Sequence, residues 1–244
     1  MAARELARSP ATEKATALSA AFARAPAQEI LRAAIKDLFA EQIALVSSFG
    51  AESAVLLHMA AAIDPATPVL FIDTGMLFAE TLAYRGELIS RLGLTNAVTV
   101  EPDPVQLAKE DGENFLWSGN PDRCCQLRKV LPLARALEGY GAWISGRKRF
   151  QAHTRKSLPL FEADGTRIKI NPLAHWSAPE IAAYLQAHRL PAHPLAAKGY
   201  LSIGCIPCTS PVKPGEDARA GRWRGRGKIE CGLHTQPLDS VLGS

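Results

Sequence analysis

The stretch QIALVSSFGAESAVLLHMAAA (42–62) reads as a buried strand over 42–48, the polar loop SFGAES, and a helix over 54–62, in direct succession. An apolar run of this length bounded by Ser and Gly suits a strand, and the longer apolar run after the loop suits a helix. Working outward, PVLFID (68–73) is the next strand, LFAETLAYRGELISRLG (77–93) the next helix and NAVTVEP (96–102) a third strand. Strands that alternate with helices predict an α/β fold, a mostly parallel sheet flanked by helices, with its ligand site at the carboxyl ends of the strands. Upstream, AQEILRAAIKDLF (27–39) places Ile30, Leu31, Ala34, Ile35 and Leu38 on one helical face. Downstream, a helix is expected over 123–139, starting at two adjacent cysteines, followed by strands in AWISG (142–146) and RIKINPL (167–173). Ser177 and Glu180 have the spacing of a capping box before IAAYLQAH. From Leu190 onward Pro and Gly dominate, and regular structure is expected to end. The organisation read from this is an N-terminal arm (1–26), an α/β domain (27–208) and a mobile C-terminal tail (209–244).

The 244 residues, 47% of them hydrophobic, are enough for a packed core. The net charge of +4, with much of the cationic excess in the last third, points to a small anionic ligand and away from nucleic acid. No apolar run approaches the ~20 residues that span a bilayer. The Ala- and Arg-rich start contains Glu5 and Glu13, which count against a transit peptide, and a cytoplasmic location is expected.

Three features carry chemistry. The first is SSFGAES (47–53), where backbone N–H groups at a strand-to-helix turn can hold a phosphate. Ser48, Phe49, Gly50 and Ser53 are its candidate binding residues. It matches neither GxxxxGK[ST] nor GxGxxG, and a polar turn capped by serine is the simpler reading. Glu52 is out of place in an anion loop unless it faces away.

The second is the partition of five cysteines into Cys124-Cys125, Cys205-x-x-Cys208 and a lone Cys231. Four thiolates could bind a [4Fe–4S] cluster or zinc; adjacent ligands make a strained chelate on a single ion, which favours iron. Lys129, four residues after Cys125 on the expected helix, returns to the same side. The third is GRGKIECGLH (225–234), in which Arg224, Arg226 and Lys228 surround Cys231. Nearby cations lower a thiol pKa from its usual ~8.5, and Gly225, Gly227 and Gly232 leave a permissive backbone, so a mobile arm carrying a nucleophile is expected. A disordered basic tail with an incidental cysteine is the competing reading.

The loop resembles the modified P-loop of the adenine nucleotide α-hydrolase group, and the chain as a whole resembles the assimilatory sulfonucleotide reductases, which act on adenylyl sulfate (APS) or phosphoadenylyl sulfate (PAPS). The matching stretches are SSFGAES, FIDTGMLFAETL (71–82), CCQLRK (124–129), GRKRFQAHTR (146–155), NPLAHW (171–176) and GRWRGRGKIECGLH (221–234). The resemblance implies that Cys231 is the nucleophile and that Cys124, Cys125, Cys205 and Cys208 ligate a [4Fe–4S] cluster with a structural and electrostatic part. It implies that Lys129 links cluster and substrate, and that Arg155, Arg219 and Arg222 bind the phosphate–sulfate portion. Arg147, Lys148 and Arg149 follow an expected strand and are further candidates, one of them expected to contact substrate, with the sequence not distinguishing which. His234 is implied to join the anion contacts or to assist deprotonation of Cys231. Asp73, at a strand end, is placed near ribose or adenine, or caps the next turn. GRKRFQ departs from the RRDQS-like form of many relatives, which leaves that loop's contacts open. Thioredoxin or glutaredoxin is the implied reductant, and a homo-oligomer is common in the family.

The cysteine set favours APS over PAPS. An ATP-pyrophosphatase-type adenylating or thiolating enzyme is a rival, although SSFGAES lacks the paired glycines and aspartate of an SGGxDS loop. A non-catalytic sensor is another.

Overall fold

The computed structural model describes residues 9–242. In chain order the strands are β1 (Ile43–Val46), β2 (Val69–Ile72), β3 (Ala97–Val100), β4 (Ala142–Ser145), β5 (Phe161–Asp164) and β6 (Arg167–Ile170). They form one sheet in the order β3-β2-β1-β4-β6-β5, with every neighbour parallel except the β5–β6 hairpin. The order reverses between β1 and β4, where Val46 pairs with Ser145, so the chain leaves both strands side by side at their carboxyl ends. In an open parallel sheet this switch point is where a crevice forms.

Helices α1 (Pro10–Ala21), α2 (Ala27–Arg32), α3 (Ser53–Ile63) and α4 (Ala79–Leu92) are followed by α5 (Pro104–Asp111), α6 (Leu116–Gly119), α7 (Pro121–Cys125), α8 (Leu131–Ala136) and α9 (Ala178–Ala187). Helix α3 buries Ala54, Val55, Leu56, Leu57, Met59 and Ala60, a nearly all-round apolar surface that fits its place against the sheet. Gly93 ends α4 in the left-handed region at φ 64, and the Ser177–Glu180 capping box opens α9.

Several elements differ from the sequence reading. Part of the expected N-terminal arm is α1, which begins with Ser9 Oγ accepting from the Thr12 N–H; residues 1–8 of that arm lie outside the described residues. Helix α1 covers the edge strand β5: Ser19 Oγ donates to the Phe161 carbonyl (3.0 Å) and accepts from the Phe161 N–H (3.1 Å). The single helix expected over 123–139 is a continuous run through α7 and α8 with a π turn at Gln126–Val130. Pro132, without an N–H, interrupts the ordinary hydrogen-bond ladder there, and the wider turn accommodates it. After α9 only short 3-10 turns remain. Among the described residues no helix is long and apolar enough to cross a membrane.

Candidate active site

The loop after β1 is pinned from beneath. Phe49 has a left-handed φ of 47, its N–H donates to Ser47 Oγ (3.1 Å), and its ring packs edge-on against Phe71 at 5.4 Å. Its side chain is therefore core, while Ser48, Gly50 and Ser53 line a cavity of about 250 Å³ at the switch point. The first turn of α3 has no side-chain cap, so its N–H groups face that cavity without an internal acceptor side chain. Glu52 is turned onto Lys148 Nζ (2.8 Å) and Gln151 Nε2 (2.7 Å), which spends its charge within the protein.

The loop after β4 brings cations to the opposite wall. Arg147 lies over Ser145 and Asn171 and pairs with Glu162; burial lowers its pKa to about 10, which leaves it charged at neutral pH. Lys148 and Arg155 also line the cavity, whereas Arg149 turns away and donates to the Leu158 carbonyl (2.9 Å). Arg219 and Arg222 complete the wall from the C-terminal segment. Arg222 stacks on the Trp223 ring at 4.4 Å, in space that a Cβ at Gly204 would occupy. Asp73 is not part of this lining; its Oδ1 accepts from the Gly75 N–H (2.9 Å) and shapes the turn after β2.

Cys231 and His234 open into the same cavity. The segment expected as a free tail is held at both ends. Trp223 is buried, its backbone N–H donating to the Cys208 carbonyl (3.1 Å), and Leu238 and Val241 are buried, the Leu238 N–H donating to Asp164 Oδ1 (3.1 Å). Between these anchors Arg226 reaches the Trp117 carbonyl and Lys228 pairs with Asp122. Glu230 receives a two-point contact from Arg155 (2.8 and 2.9 Å) and one from Arg219 (3.2 Å). His234 stacks on Trp143 at 5.6 Å, and its Nδ1 has no partner. Burial, reinforced by Arg147 and Lys169, holds its pKa well below 6.5, so it is a neutral imidazole with one donor and one acceptor and adds no cation.

Beside this cavity is a second, small and apolar one, bordered by Cys124, Cys125, Cys205 and Cys208 together with Met76, Trp117 and Trp223. The Ile206 N–H donates to the Met76 carbonyl (2.8 Å), which draws the CxxC segment to the turn after β2, and Thr74 Oγ1 lies 3.2 Å from Cys205 Sγ. All five cysteines are free thiols. Burial pushes Cys124 up to about 11 and Cys125 up to about 12. For Cys205 burial also opposes ionisation, but Lys129, the Thr74 hydroxyl and Arg222 outweigh it and lower the pKa. Among the described residues no group of three or more Cys, His, Asp or Glu could hold a metal ion as placed; the four thiols surround a void. Lys129 lines both cavities. Burial opposes its charge, and Cys205, Cys231 and Cys125 more than compensate, raising its pKa. Trp223 and Glu230 were not singled out from sequence: their positions depend on packing between distant segments, and only adjacency to Cys231 hinted at Glu230.

Residues 42–211 match the family model described as the phosphoadenosine phosphosulfate reductase domain. The chain is 54% identical over 229 residues to an adenosine 5'-phosphosulfate reductase of Mesorhizobium japonicum, covering 94% of this chain and 90% of that protein. It is 52% identical to the protein of the same name from Chelativorans sp., covering 95% of each. Among solved structures it is similar to a phosphoadenylyl-sulfate reductase from Candida auris in a phosphate complex, with a TM-score of 0.70 and 28% identity over 84% of this chain and 100% of that one. The sheet order and the loop after β1 are thus those of an adenine nucleotide α-hydrolase-like fold. The chain belongs to the phosphoadenosine phosphosulfate reductase family.

Proposed function

We propose that the protein reduces APS to sulfite and AMP, as the first step after sulfate activation on the way to cysteine. The observation that carries this reading is that Cys231 opens into the same cavity as the phosphate loop and the cations Arg147, Arg155, Arg219 and Arg222. The nucleotide's phosphate sits on the loop and on the uncapped start of α3, and the arginines take the phosphate–sulfate bridge. The Cys231 thiolate attacks the sulfur, the bond from sulfur to the phosphate oxygen breaks, and AMP leaves with the electron pair. The cations stabilise charge as it develops on the departing phosphate. The product is Cys231 carrying a sulfo group. A thiolate of a thioredoxin- or glutaredoxin-type dithiol attacks Cys231 Sγ, sulfite leaves, and the second thiol of that partner restores Cys231 while the partner is oxidised to its disulfide. Residues 209–244 act in this scheme as an arm that opens to meet the reductant.

As placed the four thiols do not hold a metal ion, and what supports a [4Fe–4S] cluster is the number and kind of the donors that border one void. Four thiols ring one apolar void, and a hydroxyl is already placed on the Cys205 sulfur as an outer-shell contact. Cys124, Cys125, Cys205 and Cys208 would hold it, and when bound it supplies structural support and an electrostatic centre beside Lys129. Five free cysteines suit a reducing compartment, so the reaction is assigned to the cytoplasm.

The test is sulfite release by anaerobically purified protein with reduced thioredoxin, comparing APS and PAPS at equal low concentrations. APS preference is expected. PAPS preference would reassign the substrate, and no sulfite from either would overturn the reading. A second outcome concerns the loop. A Cβ on Gly50 would meet only Ser48 Oγ at 3.4 Å and other atoms at 3.9 Å, ordinary contacts that the folded protein tolerates. Gly50→Ala should leave the melting temperature unchanged. It should lower kcat/KM roughly ten- to a hundredfold, the effect of about 1–3 kcal/mol of overpacking where a phosphate approaches backbone.

A further inference from the structure

We propose that Glu230 is a positioning residue: its carboxylate occupies the anion subsite of the substrate-free enzyme, and the substrate's phosphate–sulfate group must displace it from Arg155 and Arg219. This rests on the reading of the cavity as a sulfonucleotide site. Glu230 lines that cavity, and its side chain is only 14% exposed, as are its partners Arg155 at 10% and Arg219 at 15%. Two parallel N–H···O bonds from Arg155 reproduce the geometry with which a guanidinium grips two oxygens of a phosphate or sulfate. The remaining contacts of this pair of arginines are weak or neutral. Arg155 touches Gln151 Oε1 (2.7 Å), and Arg219 touches the Ile229 carbonyl (2.8 Å) and, more distantly, Ser202 Oγ (3.4 Å). The acidic groups of the cavity wall are Glu52 and Glu230, and Glu52 is committed to Lys148.

Without Glu230, Arg155, Arg219 and Arg222 would line the cavity together with no carboxylate paired to them, while Arg147 keeps Glu162. A carboxylate from the chain relieves that repulsion until a better anion arrives. Because Glu230 precedes Cys231 in the chain, the anion that evicts it also moves the nucleophile. Anion binding and placement of the attacking sulfur are thereby coupled.

The inference is tested without turnover, by isothermal titration of APS and of adenosine into Cys231→Ser and into Cys231→Ser/Glu230→Gln. Removing the internal competitor should tighten APS at least tenfold and leave adenosine, which carries no anion, unchanged. In otherwise native protein, Glu230→Gln should lower both KM and kcat, since binding no longer moves Cys231. APS affinity that is unchanged or weaker in the double variant would overturn the inference and make Glu230 a structural clamp. Failure of Cys231→Ser itself to bind APS would instead sink the substrate assignment. Should Glu230→Gln unfold, Glu230→Asp, which shortens the reach to both arginines, is expected to tighten APS in the same direction.

Discussion

Cys231→Ser is expected to abolish sulfite release, by on the order of 10⁴-fold or more, as for other enzymes stripped of their nucleophile. The serine is nearly isosteric and stays in the same position, half-buried between the anchors at Trp223 and Leu238. Substrate binding should therefore survive, since Arg147, Arg155, Arg219, Arg222 and the loop after β1 are untouched. What is lost is the reacting atom: a hydroxyl stays protonated near neutral pH, and its anion is a harder and far more solvated nucleophile than a thiolate. No other thiol can substitute. The other four thiols border the second cavity, where the cluster reading engages them as ligands, with Cys205 under the Thr74 hydroxyl. Two measurements decide the matter together: sulfite release in the presence of reduced thioredoxin, and the visible absorbance of the anaerobically purified protein. Lost turnover with unchanged absorbance is the expected pair. Loss of both would make Cys231 a ligand or a structural residue, and retained turnover would place the nucleophile elsewhere.

The parts of the molecule that were legible in the sequence are those where local pattern and tertiary role coincide. The run from Gln42 to Ala62 alternates strand, turn and helix because each piece is buried against the next, and the core follows it from β1 through α3. The cysteines stood out because Cys pairs at close spacing have few bland uses. The misses have physical reasons. Strand β5 reads FEAD, too polar for a strand by composition, because Glu162 and Asp164 serve buried partners: Arg147 and Lys169 for the first, the Trp143 indole N–H (2.7 Å) and the Leu238 N–H for the second. The Gly165 that opens its two-residue turn, at a φ of 65, carried the available signal. Helix α1 buries only Ala15 among its residues, so it shows little periodicity, although the Ser9–Pro10 start is a recognisable cap. Nothing in GRKRFQ distinguishes Arg147 from Arg149. That choice is made by Asn171 and Glu162 on one side and the Leu158 carbonyl on the other, all of them supplied by other segments.

The second large effect falls on stability. Arg128→Ala is expected to cost about 3–5 kcal/mol, the range for breaking a buried ion pair from one side. Arg128 is 2% exposed and gives four hydrogen bonds: two to Asp111 Oδ2 (2.7 and 3.0 Å), one to Asn114 Oδ1 (2.7 Å) and one to the Thr74 carbonyl (2.8 Å). Alanine would leave the Asp111 carboxylate buried with only the Leu116 N–H (2.8 Å) as partner, and would strand the carbonyl of Thr74. Against a typical total of about 5–15 kcal/mol this is roughly a fifth of the stability or more. Lysine should rescue little, because one ammonium cannot reach three acceptors spread over two segments that a planar fork spans. The loss should also extend beyond the pair. Thr74 carries the hydroxyl on Cys205, and Arg128 lies three residues after Cys125 on the same helical run, so a loosened Thr74 turn moves two sides of the thiol-lined void together. A denaturant titration would read the energy, and iron content per chain would read the spread. A midpoint shift equivalent to less than about 1 kcal/mol, the scale of an exposed pair, would mean that water relieves the stranded carboxylate. The tie between the α5–α6 corner and the turn after β2 would then be dispensable to the cysteine cavity.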